Sequence, residues 1–215
     1  MPNLVPYLRR LNRKERFFLI GLALDNEAFR LGDDFRQNLS DVLGLAIPKD
    51  AFVAMDYHLD WLFAGIHLAA TSGDPGPHPR DNRLITGTQQ DIDLLVAFDT
   101  DEKSHVIMLE AKGVTSYSNS QFKSKTERLS AAFQVPEAKQ VAPHFVFASP
   151  MMPRRLKYSE CPPWMLDKDG QVAWVRMPVP SDMQKIVRCT EDGTSRDKGP
   201  HWTVKAERVF RPSAP

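Results

Sequence analysis

The chain has 215 residues, 42% of them hydrophobic, and a formal net charge of +1 at pH 7. That length and apolar content suit one domain with a packed core, and the balanced charge excludes a surface that attracts polyanions everywhere, so any nucleic-acid contact must be a local basic patch. Cys161 and Cys189 follow no metal spacing and read as free thiols; with no membrane-length apolar run and no signal-peptide core at the N-terminus, a cytoplasmic protein is expected.

Residues 12–24 read as a helix carrying Phe17, Phe18, Ile20 and Leu22. A second helix is expected over 34–44, with Phe35, Leu39, Val42 and Leu43 on one side and Gly44 at its end. Phe52, Met55, Leu59, Leu62 and Ile66 recur at three- and four-residue steps, which predicts a third helix over 50–68. Asp56 and Asp60 share a neighbouring face of it. Thr71 to Arg80 holds three prolines and two glycines and reads as an irregular loop. Arg80 and Arg83 are candidate phosphate contacts beside it.

Asp91 to Phe98 and His105 to Lys112 are rich in Val, Ile, Leu and Phe and read as two strands. The polar stretch from Asp99 to Ser104 between them can turn the chain. A helix follows, capped by Asn119 or Ser120, with Phe122, Leu129 and Phe133 on its buried side. Gln121, Lys125 and Arg128 fall on another face, with Lys123 beside them. His144–Ser149 reads as a strand, residues 150–171 as a long loop with the basic run Arg154, Arg155 and Lys157, and Val172–Met177 as a strand. Ser181 is expected to cap a short helix holding Met183, Ile186 and Val187; 191–200 is a polar connection, and Trp202–Ala206 a last strand.

The two strands from 91 to 112 carry the chemistry. Side chains alternate along a strand, so Asp91, Asp93, Leu95 and Ala97 share a face, as do Val106, Met108, Glu110 and Lys112. With Asp99 opposite Ser104, Asp93 falls opposite Glu110 and Asp91 opposite Lys112, roughly 5 Å apart at Cβ. Facing carboxylates repel, and partial burial makes ionisation costlier. A hard dication such as Mg²⁺ relieves that conflict, polarises a phosphoryl oxygen and acidifies a water. Lys112 then stabilises charge on phosphorus or orients the water. A plain Asp93–Lys112 salt bridge explains one carboxylate and leaves the second without a role. His105 points away from Glu110 by the same alternation.

Asp93, a gap of sixteen residues, then Glu110-Ala-Lys112 at the end of an apolar strand resembles the PD-(D/E)xK nuclease superfamily, over roughly residues 50–150. The proline of the family's name is absent, since Ile92 precedes Asp93. The resemblance implies an α/β restriction-endonuclease-like core, built as helix, three-stranded meander, helix and further strands. That core would cover 50–215, with 1–49 as a helical N-terminal extension packed on it. It implies a Mg²⁺-dependent endonuclease acting on DNA, in which Mn²⁺ substitutes and a homodimer cuts both strands. Asp93 and Glu110 would bind the metal and Lys112 would be the catalytic lysine. Asp60, with Asp56 second, would add an acid from the preceding helix. Gln121 would orient a water or the phosphate, and Lys123, Lys125 and Arg128 would contact the nucleic-acid backbone. The alternative is a non-catalytic nucleic-acid-binding or protein-interaction module on the same fold.

Overall fold

The hairpin forms where the apolar runs predict it. In the computed structural model, which describes residues 3–73, 76–79, 84–87, 90–115, 117, 119–153, 156 and 161–207, β2 (Asp91–Asp99) and β3 (Ser104–Ala111) pair antiparallel. Asp99 stands opposite Ser104, the register expected from the sequence. Thr100 closes the turn, its N–H donating to Lys103 O at 2.9 Å.

These two strands sit inside a five-stranded sheet of order β1-β2-β3-β4-β5. β1 (Phe52–His58) runs antiparallel to β2; β4 (Val141–Ser149) runs parallel to β3, and β5 (Trp174–Arg176) parallel to β4. The protein is therefore mixed α/β, with a mixed sheet flanked by helices. The helices are α1 (Val5–Leu11), α2 (Glu15–Ala23), α3 (Asp33–Leu43), α4 (Leu59–Ala70) and α5 (Asn119–Phe133).

Both sheet faces are covered. Phe52, Ala54, Leu95, Ala97, Met108 and Phe147 pack with Leu8 of α1, Leu62 and Ile66 of α4 and Leu129 of α5. Val53, Val96, Phe98, Ile107 and Val146 pack on the other face with Leu39 of α3. Burial on both faces explains why these strands read as nearly continuous apolar runs.

It also explains the failure of the helix expected over 50–68. Its first half is β1, and only from Leu59 does the helix begin. A doubly buried strand places apolar groups at every step, so three- and four-residue spacings arise in it by accident. His58 joins the two elements without a loop. Its Nδ1 accepts the Asp60 N–H at 3.2 Å and caps α4. Asp56 lies in β1 at φ 48, a left-handed value that breaks the alternation and sends Tyr57 to the same face as Ala54.

At the N-terminus, α2 falls within the expected 12–24 helix and α3 matches 34–44, ending on Gly44 at φ 65. α1 was not legible, because its ends are satisfied by distant groups. The Leu4 and Val5 N–H groups donate to the Asp99 carboxylate, each at 3.2 Å, and Tyr57 Oη donates to Leu8 O at 2.9 Å. Gly65 lets α1 lie close on α4, since a Cβ there would meet Leu8 Cδ2 at 2.8 Å.

The short helix expected after Ser181 is instead a strand, β6 (Gln184–Cys189), paired antiparallel with β7 (His201–Ala206) in a separate ribbon. Ile186 and Val187 are β-branched, and pairing with residues 12 to 22 positions further on outweighs the local helical spacing. Cys161 and Cys189 are free thiols. Among the described residues no helix is long and apolar enough to cross a membrane.

Candidate active site

The β2–β3 ladder stops at Leu94 opposite Leu109, one step before the acidic pair. Beyond it, Asp93 Oδ2 accepts the Ala111 N–H at 2.7 Å. The Lys112 N–H donates to Ala148 O on β4 at 2.9 Å. The end of β3 is thus held from both sides, and the Asp93, Glu110 and Lys112 side chains gather at the mouth of the hairpin.

Glu110 is doubly paired. Lys112 Nζ lies 3.0 Å from Oε1, and Lys125 Nζ, from α5, donates to Oε2. Lys125 also donates to Asp91 O at 2.9 Å. One ammonium group therefore ties the start of β2 to the end of β3. These groups are largely enclosed, with 15% of the side-chain surface of Glu110 and of Lys125 exposed.

Asp93 titrates above the ordinary carboxylate range. Burial raises it most, the Glu110 carboxylate raises it further, and the Ala111 N–H with the Lys112 and Lys125 charges offsets only part. A carboxyl raised in this way supports the fold when protonated and costs stability as pH climbs through its folded pKa. Ionising Asp93 is therefore costly where it stands, and positive charge close to that carboxylate lowers the cost. Asp91 Oδ1, at the margin of the cluster, is also buried with no hydrogen-bond partner.

The other sequence candidates separate. Asp91 does not meet Lys112; its Oδ2 pairs with Lys14 at 2.7 Å. Asp60 is bound by Arg128, by the Gly87 N–H at 2.9 Å and by the Thr86 N–H at 3.3 Å. Burial works against its charge, but the Gly87 and Thr86 N–H groups and the Arg128 guanidinium outweigh it and hold the carboxyl below the usual range. Asp56 pairs with Arg16 at 2.9 Å. Among the described residues no three His, Cys, Asp or Glu side chains form one metal-holding group. Lys125 and Arg128, expected to face nucleic acid, are turned inward onto Glu110 and Asp60. Lys123 is exposed, 3.8 Å from Glu127. The Gln121 side chain, Arg80, Arg83, Arg154, Arg155 and Lys157 lie outside the described residues.

Two contributors escaped the sequence reading. Tyr117 Oη donates to Glu110 O at 2.7 Å and lies 3.0 Å from Ala148 O. Its ring stands 6.0 Å from Lys112 Nζ, and burial raises its phenol well above the ordinary value. It fastens β3 to β4 directly behind the carboxylate. Its position as the lone aromatic between Gly113 and Gln121 was the available signal. Lys14 reaches Asp91 from the N-terminal region and carried no local signal.

No protein-family model, curated protein or solved structure matches the chain. Chemical capacity therefore rests on the groups themselves. Two hard oxygen donors, one with a raised pKa, beside two ammonium groups can hold a dication and a phosphate together.

Proposed function

We propose that the chain is a metal-dependent nuclease, an endonuclease hydrolysing phosphodiester bonds in DNA, with Mg²⁺ as its ion and Mn²⁺ as a substitute. One observation carries the reading: Asp93, made hard to ionise by burial and by Glu110, shares the hairpin mouth with Glu110, Lys112 and Lys125. In this reading β1, β2 and β3 are the meander of a restriction-endonuclease-like core, followed by α5 and β4. α4 lies between the first two strands rather than ahead of them, a departure from the order the family resemblance implies.

The residues fit the ion. Asp93 and Glu110 would hold it through carboxylate oxygens, and there it would polarise a phosphoryl oxygen and acidify a water. Lys112, released from Glu110 Oε1, turns its charge on the oxygens of the reacting phosphate. Lys125, on α5, would contact the same phosphate. Tyr117 keeps the Glu110 backbone fixed while its side chain exchanges partners.

The test is cleavage of supercoiled plasmid at millimolar Mg²⁺. Wild type is expected to nick it, and Asp93→Asn, Glu110→Gln and Lys112→Gln each to lose about 10²-fold or more in rate with unchanged circular dichroism. Wild-type protein that leaves DNA intact with both Mg²⁺ and Mn²⁺ defeats the proposal. A second reading, a protein-interaction module, is favoured by the exposed Phe18, Leu19 and Leu22 on α2. It predicts retention of a protein partner with no cleavage of any nucleic acid.

A further inference from the structure

A second group of metal-ligating side chains lies outside this site. His67 occupies the last turn of α4. Its Nδ1 lies 3.3 Å from Glu137 Oε1, in a 3-10 turn (Pro136–Gln140) that packs on α4. Its Nε2 lies 3.1 Å from Nδ1 of His78, with the rings 4.5 Å apart at an angle of 70°.

We propose that His67 and His78 chelate a transition-metal dication of the Zn²⁺ class, independently of Asp93 and Glu110. Two nitrogens bound to one tetrahedral zinc at about 2.0–2.1 Å stand roughly 3.3 Å apart, close to the observed separation. The steep angle between the rings keeps their faces from stacking, and the two nitrogens face each other at 3.1 Å. Glu137 stands on the far side of the His67 ring, where a carboxylate can accept a hydrogen bond from Nδ1–H and so favour the tautomer that leaves the Nε2 lone pair free for the metal. The negative end of the α4 dipole favours a cation at the same place. Imidazole suits Zn²⁺ or Ni²⁺ and not Mg²⁺, so the two sites differ in the metal they select.

Without metal, a proton on His78 Nδ1 links the rings. Binding moves that proton to solvent while His78 Nε2 takes one up, so the neutral imidazole changes tautomer and no net charge is lost. Water would complete the coordination of the ion. The bound ion ties residues 76–79 to the C-terminal turn of α4.

The experiment titrates ZnCl₂ into metal-free full-length protein carrying Glu110→Gln, which disables the carboxylate pair and keeps the outcome independent of the nuclease proposal. One equivalent of Zn²⁺ is expected to bind by calorimetry and to raise the thermal midpoint, while MgCl₂ at equal concentration gives neither effect. His78→Ala, an exposed position, should weaken Zn²⁺ at least tenfold with circular dichroism unchanged. Glu137→Gln should weaken it by about 10- to 100-fold. Equal Zn²⁺ affinity with and without His78, or binding that tracks neither His78 nor Glu137, overturns the site.

Discussion

At the residue scale, Glu110 decides how the site behaves. Both of its oxygens are engaged by ammonium groups, from Lys112 and Lys125. Two carboxylates and two lysines leave the cluster nearly neutral, so a dication arriving alone meets like charge at close range. Phosphate oxygens would restore the balance, and the ion and nucleic acid should therefore bind cooperatively. Lys125→Met frees Glu110 Oε2. Calorimetry without nucleic acid should then show Mn²⁺ affinity rising on the order of tenfold, the effect of removing ~1.4 kcal/mol of repulsion, while cleavage falls. Unchanged or weaker Mn²⁺ binding contradicts that account. Asp93, Glu110 and Lys112 were legible because strand alternation is local. Lys125 and Arg128 were expected to contact nucleic acid because helical spacing says which residues share a face and not what covers it. Tyr117 and Lys14 act on groups remote in sequence, and no pattern in the chain announces such partners.

At the scale of elements, the hairpin, α3, β4 and β7 follow from periodicity and turn residues, and two expectations fail for one reason. β1 and β6 were assigned to helices because local spacing was weighed without the strands that pair with them. β1 gains its place from β2, and β6 from β7. The packing of α1 on α4 is equally non-local and depends on Gly65. Gly65→Val drives a methyl into Leu8 and should destabilise the protein by about 1–3 kcal/mol, read as a lower denaturation midpoint in urea. A variant as stable as wild type would mean that this close approach contributes little. Because α4 also carries His58 at its cap and Asp60 in its first turn, the same variant disturbs the flank of the candidate site.

At the scale of the molecule, a sheet buried on both faces leaves few places for charge, and the titrating groups it encloses set its response to acid. His105 Nδ1 lies 3.2 Å from His144 Nε2, and His105 stacks on Phe98, away from Glu110 as alternation requires. Burial and its neighbour His105 push His144 down to about 4. Burial, then Lys103, also lowers His105. A histidine depressed in the fold favours the folded state fully above its unfolded pKa, near 6.5, and that support drains away as pH falls through the folded value. The thermal midpoint should therefore drop between pH 6.5 and 4, and His144→Phe should flatten the drop. An identical pH profile in both proteins would assign acid sensitivity elsewhere.

The claim on which the functional account stands is that Asp93 and Glu110 hold one dication between them. Mn²⁺ titration by calorimetry into His78→Ala protein, with and without Glu110→Gln, in the presence of a short DNA duplex, measures it directly. The account predicts one saturable Mn²⁺ site that weakens at least tenfold when Glu110 becomes glutamine. Equal affinity in the two proteins would contradict it.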